Sequence, residues 1–210
     1  MSLDAHWTSS IFGLYNIAGL LSASVAAISA LVVILRRRGL LPNVTEDQLH
    51  DLGKLLFGFS TVWAYLWFSQ YLLIWYTNLP EENTHYLSRL NGNISILFFL
   101  NFLLGWVFPF VLLLSRSGKR SEKTLLAASG LVLKGKWLDI HLLVAPAVFE
   151  TYRGITVLEI AVFLGFGAAF LLIVDRALVE APIETAKDAA KRPHRQPVPL
   201  PARSIQPVRE

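Results

Sequence analysis

No cysteine occurs in the 210-residue sequence, which excludes a disulfide framework and any iron–sulfur cluster ligated by cysteine. Charge is scarce too: Asp, Glu, Lys and Arg supply 16% of residues against 54% hydrophobic ones, and the mean hydropathy is +0.49. A water-soluble domain of this length carries more polar surface, so the chain belongs in a membrane, with lipid rather than nucleic acid around it. The alternation of apolar and polar side chains that marks a membrane β-barrel is also missing. Helices are then the remaining way to pair every backbone group in lipid. Histidines stand only at 6, 50, 85, 141 and 194, and only His141 lies well inside an apolar stretch. A transmembrane haem held by two histidines needs a second at depth. If the protein handles electrons, its metal centres lie on other chains.

Four apolar stretches are long enough to cross a bilayer core of roughly 30 Å at about 1.5 Å per helical residue: Ile11 to Leu35, Leu55 to Tyr76, Ile94 to Leu114 and Ile155 to Val174. A fifth, Leu125 to Val148, is equally long but carries the run VLKGKWLDIH at 132–141. The expected fold is all-α, a polytopic transmembrane bundle of about five spans over residues 1–176, followed by a flexible cytoplasmic tail over 177–210. That tail holds six of the ten prolines and a basic excess, a composition that buries no core.

Basic residues set the expected orientation. Arg36, Arg37, Arg38 and Lys54 follow the first span, Arg116, Lys119, Arg120 and Lys123 follow the third, and Arg176 with six more follows the fifth. The opposite side has Arg89 and Arg153. The positive-inside rule therefore puts the N-terminus outside and the C-terminus in the cytoplasm. The first nine residues hold no basic n-region, so a cleavable signal is not expected, and an outside N-terminus is most simply explained if other helices precede it.

Small residues predict packing seams: Ala18, Ser22, Ala26 and Ala30 in the first span, and Ala161, Gly165 and Ala169 in the last. The second span is aromatic, with Trp63, Tyr65 and Trp67 deep and Ser69 and Gln70 needing partners. Such a wall suits either interhelical packing or a slot for a lipid-soluble ring. In the KGKWLDIH run, Lys134 lies roughly 14 Å into its helix, near the midplane. About 100° per residue puts Lys134 and His141 on one face and turns Lys136 and Asp139, three apart, to the other, where they are expected to pair. Each Lys or Asp at a helix centre costs roughly 2.5 to 3.5 kcal/mol on insertion, so the set must face the bundle interior, a partner or water. Glu159 reaches a similar depth from the fifth span, and the outer loop TNLPEENTHY adds Glu81, Glu82 and His85. Carboxylates and imidazole placed from midplane to surface form a ladder on which protons can move. Buried ion pairs that only fix helix register are the structural alternative.

The runs MSLDAHWTSSIFGLY, WAYLWFSQYLLIWYTNLPEE, FPFVLLLSRSGKR and KGKWLDIHLLVAP, in that order, resemble the second quinone-binding membrane subunit of bacterial alternative complex III, a quinol:cytochrome c oxidoreductase. That subunit is similar to the membrane anchors of polysulfide reductases. The resemblance covers residues 1 to 176 and identifies them with the C-terminal half of the family's members, in keeping with the outside N-terminus. It implies a multi-pass protein of the bacterial cytoplasmic membrane that is non-catalytic by itself, with periplasmic iron–sulfur and cytochrome c subunits and further membrane subunits as partners. No haem or iron–sulfur cluster is implied on this chain. A proton path and part of a quinone or menaquinone pocket are implied, the matching runs supplying Lys134, Lys136, Asp139, His141, Glu81 and Glu82; Glu159, Gln70 and His85 join the candidates from their depth and chemistry. The competing expectations are a secondary transporter or ion channel, for which no internal repeat is found, and a purely structural scaffold subunit.

Overall fold

The computed structural model describes residues 9–90, 92, 94–148 and 154–180. All regular structure among them is helical: α1 (Phe12–Arg37), α2 (Glu46–Thr77), α3 (Pro80–Leu90), α4 (Ile94–Phe102), a π-helical turn (Leu103–Val107), α5 (Phe108–Leu114), α6 (Arg116–Arg120), α7 (Glu122–Val148) and α8 (Val157–Glu180). Three helical segments, Phe12–Arg37, Ile94–Leu114 and Val157–Leu178, are long and apolar enough to cross a membrane. The chain is therefore a membrane protein by length and composition. α2 and α7, at 32 and 27 residues, are longer still but diluted, one by tryptophan, tyrosine, serine and glutamine, the other by Lys134, Lys136 and Asp139. The chain divides into one unit ending at Ala161 and a second beginning at Val162. The polar residues of the spans that pack together belong to the first unit.

Local chemistry explains the ends. Thr45 and Gln48 form a reciprocal capping box, the Gln48 N–H reaching Thr45 Oγ1 at 3.3 Å and the Thr45 N–H reaching Gln48 Oε1 at 2.9 Å, with Glu46 and Asp47 in the positive first turn of α2. This starts α2 nine residues before the apolar stretch. Asn78 closes it in the left-handed conformation, at φ 49°.

α1 lays Ala18, Gly19, Ser22, Ala26, Ser29 and Val33 against the bundle, packing on α2 and α7. The expected seam member Ala30 is only half-buried. Strict four-residue steps drift about 40° each on a helix with about 100° per residue, so Ser29 takes its place. Outward, α1, α2 and α4 expose Leu20, Val62, Phe68 and Ile96, an apolar exterior of the kind lipid covers.

Three elements differ from expectation. The stretch 94–114 is not one regular helix: Pro109 cannot donate to the Gly105 carbonyl, and the Phe108 N–H reaches back to Leu103 O, inserting a π-turn. The stretch expected as an outer loop forms the helix α3, with Pro80 at its start and Glu81 and Glu82 in its first turn. α8 continues to Glu180, past the expected tail boundary at 177, and the tail beyond 180 lies outside the described residues, as does Arg153.

α7 is the hub. It touches α1, α2, α3, α4, the π-turn, α5 and α6. One end of the unit is a plain apolar core in which Val33, Leu56, Leu113 and Val132 meet, and the polar residues gather elsewhere along the same helix.

Candidate functional site

The first cause of the site is a glycine. A Cβ on Gly135 would lie 2.6 Å from Gly105 N and 2.7 Å from Gly105 Cα, so the backbones of α7 and the π-turn touch here. That contact decides which side of KGKWLDIH faces inward. Lys136, Asp139 and His141 are buried, whereas Lys134, about 200° from Lys136 around the helix, is exposed. Of the options open to Lys134, the bundle interior is therefore excluded among the described residues of its unit, and water or a partner remains.

Lys136 and Asp139 do not form the expected ion pair. Helical side chains lean toward the N-terminus, so Lys136, N-terminal to Asp139, leans away from it. Its Nζ instead stands 2.9 Å from the centroid of the Trp63 ring, a cation–π contact, and has no hydrogen-bond partner among the described residues. Trp63 is fully buried and wedged between two glycines: a Cβ on Gly105 would meet its Cζ3 at 2.9 Å and one on Gly19 its Cδ1 at 3.6 Å. Asp139 finds other donors. Its Oδ1 accepts from the Tyr15 hydroxyl of α1 and from Asn101 Nδ2 of α4 at 2.9 Å.

Asp139 also borders a cavity of about 30 Å³, whose polar wall is made by Tyr15, Gln70, His85, Arg89, Asn101 and Asp139. That volume holds about two waters. Apolar pieces of Trp67, Phe98 and Leu142 line the rest, Trp67 stacking on Phe102 with centroids 4.7 Å apart. The expected site residues Gln70, His85 and Asp139 are thus brought to one place.

His141 and Glu159 meet separately, Nδ1 to Oε2 at 3.6 Å, with the imidazole stacked on Trp137 at 6.2 Å. Glu159 also accepts the Thr156 N–H at 2.8 Å, the hydrogen bond of a residue that caps α8. Glu81 and Glu82 lie on α3, but their side chains fall outside the described residues. Tyr65 points outward at 69% exposure, so it lines no inner aromatic wall.

The sequence matches no known protein family and no curated protein. Three residues of the site were not anticipated: Tyr15, Asn101 and Arg89. Asn101 carried a signal, being the lone amide within an apolar stretch where such a group must find a partner. Tyr15 carried no separate signal, and Arg89 was read only as a marker of orientation. Among the described residues, no three His, Asp or Glu side chains converge to hold a metal ion. A second cavity, about 150 Å³, lies between Tyr71, Trp75, Asn83 and Leu87.

Proposed function

We propose that this chain is a membrane subunit of a respiratory quinol:cytochrome c oxidoreductase of the alternative complex III kind, in the bacterial cytoplasmic membrane. In this reading it crosses five times, through α1, α2, the α4 to α5 segment, α7 and α8, with its N-terminus outside. Redox metals belong to its iron–sulfur and cytochrome c partners, and the chain contributes a proton-handling site rather than catalysis. The apolar outer face of α2, with Leu55, Val62, Phe68, Leu72 and Leu73 exposed and Ser60 and Gln70 turned in, supports counting α2 among the spans.

The observation that carries the reading is Asp139. A carboxyl group buried among Tyr15, Asn101 and a water-sized polar cavity, on the same helix as the buried amine of Lys136, can take up and release a proton without meeting lipid. A charge change on one of two such groups alters the field at the other. The cavity beside Asp139, about 30 Å³, is too small for a quinone ring, and the second, about 150 Å³, falls below the roughly 300 to 1,000 Å³ of ligand pockets. No step is assigned to quinone on this chain alone. If it contributes to a quinone pocket, the remaining wall comes from a partner.

The test is Asp139→Asn, which keeps the acceptor oxygen for Tyr15 while removing the titrating group. In the assembled complex, quinol:cytochrome c turnover or proton release is expected to fall while the subunit still co-purifies with its partners. Full turnover and full proton release in both Asp139→Asn and Lys136→Met refute the reading. One observation favours a transporter instead: a helix interrupted by a π-turn beside a buried acid is also what ion-coupled carriers use. Purification of the native protein without cytochrome or iron–sulfur partners would select that alternative.

A further inference from the structure

Pro146 lies inside α7. Proline has no N–H, so the Leu142 carbonyl, four residues back, loses its helical donor. Away from water such an oxygen must be paired some other way. It is paired by Arg89 of α3, whose Nε donates to Leu142 O at 2.9 Å while an Nη donates to Leu143 O at 3.4 Å. The other Nη donates to the His85 carbonyl of its own helix. Arg89 is 4% exposed, and it also lines the cavity beside Asp139. A planar cation with several donors is well suited to span the carbonyls of two helices.

We propose that Arg89 and the Pro146 break form a latch. The proline releases a carbonyl, the guanidinium seats on it, and α3 is thereby held against α7, closing one wall of the polar cavity and limiting access of water-borne groups to Asp139. The sizes of the pieces give Arg89 this weight. α3 is only 11 residues long and polar on average, so it brings little apolar area to bind it. Its buried side chains include His85, Tyr86 and Arg89, and two of these three are polar. Tyr86 contacts Phe98 edge-on, with centroids 6.0 Å apart, and ties α3 to α4. Among the described hydrogen bonds, Arg89 supplies the tie from α3 to α7. The latch concerns access only, and stands whether or not the chain belongs to a respiratory complex.

The absence of cysteine makes the test clean. Gln70→Cys places a sole thiol in the cavity wall of the full-length chain, and a charged methanethiosulfonate reagent reads its accessibility in detergent micelles. Labelling through transient opening tracks the population of the open form. Adding Arg89→Gln is expected to speed labelling by about tenfold or more, as hydrogen bonds from a charged donor are lost. Adding Pro146→Ala is expected to speed it less, because the new N–H competes for Leu142 O. The two together should be no faster than Arg89→Gln alone. Arg89→Lys, which keeps the charge but not the fork, should lie between and decides the matter if Arg89→Gln fails to fold. A thiol at exposed position 65 (Tyr65→Cys) should label at one rate in every background. The latch is overturned if Arg89→Gln or Arg89→Lys leaves the Gln70→Cys rate unchanged, or if the effects of Arg89→Gln and Pro146→Ala multiply as independent events do.

Discussion

Gly135→Ala asks whether the contact between α7 and the π-turn organises the site. The added methyl would stand 2.6 Å from Gly105 N, 2.7 Å from Gly105 Cα and 3.1 Å from the Leu104 carbonyl carbon. Ordinary carbon contacts are about 3.5 to 4.0 Å, and these neighbours are backbone atoms that cannot swing aside. The two helices must part by about 1 Å. That stretches the 2.9 Å bond from Asn101 to Asp139 beyond hydrogen-bond range. Overpacking costs about 1 to 3 kcal/mol, and the lost hydrogen bond to a charged group about 1.5 to 3. Better helix propensity returns about 1, leaving a net loss of about 1.5 to 5 kcal/mol. Gly130→Ala on the same helix is the control, since its methyl meets nothing within 4 Å and should stabilise by up to about 1 kcal/mol. Denaturant unfolding of the detergent-purified chain, followed by helical ellipticity, measures both. Equal stability of the two variants would show that the glycine contact does not organise the site.

Two further outcomes are expected. Trp63→Leu and Lys136→Met should be coupled by about 0.5 to 2 kcal/mol in a double-mutant cycle, since each removes one half of a desolvated cation–π contact; additive losses would mean that the ammonium is not seated on the ring. His50, before the apolar part of α2, is held below its ordinary value by partial burial and then by Lys54, Arg116 and Arg120. The folded state therefore binds this proton less readily than the unfolded chain, and stability should decline as pH falls below about 6.5. His50→Gln should remove that part of the slope when unfolding is compared at about pH 7.5 and about pH 5.5, and an unaltered slope would rule out the assigned cause.

Long apolar helices were legible because periodicity and length suffice to see them. α3 was not, because PEENTHYLSRL reads as polar and its described buried side chains are a histidine, a tyrosine and an arginine that only a neighbouring helix can accommodate. The π-turn hid behind Pro109, whose effect depends on which carbonyl it orphans. The charges of KGKWLDIH were legible as a problem but not as a solution. Helical angles separated Lys134 from Lys136, yet nothing local says which of them turns inward; Gly105, about thirty residues earlier, decides it. Spacing suggested a Lys136 to Asp139 pair, and side-chain direction sent the two groups to different partners. His141 and Glu159 were placed at one depth by counting residues and do meet.

That α7 touches every neighbouring helix of its unit bears on how the protein is made. Released alone from a translocon, a segment with Lys134, Lys136 and Asp139 near its centre would be poorly retained by the bilayer. The ring of Trp63 and the hydroxyl of Tyr15 are synthesised earlier, on α2 and α1, and receive Lys136 and Asp139 as α7 emerges. Biogenesis should therefore be sequential, with the first two helices lingering beside the exit until the charged one arrives to complete them.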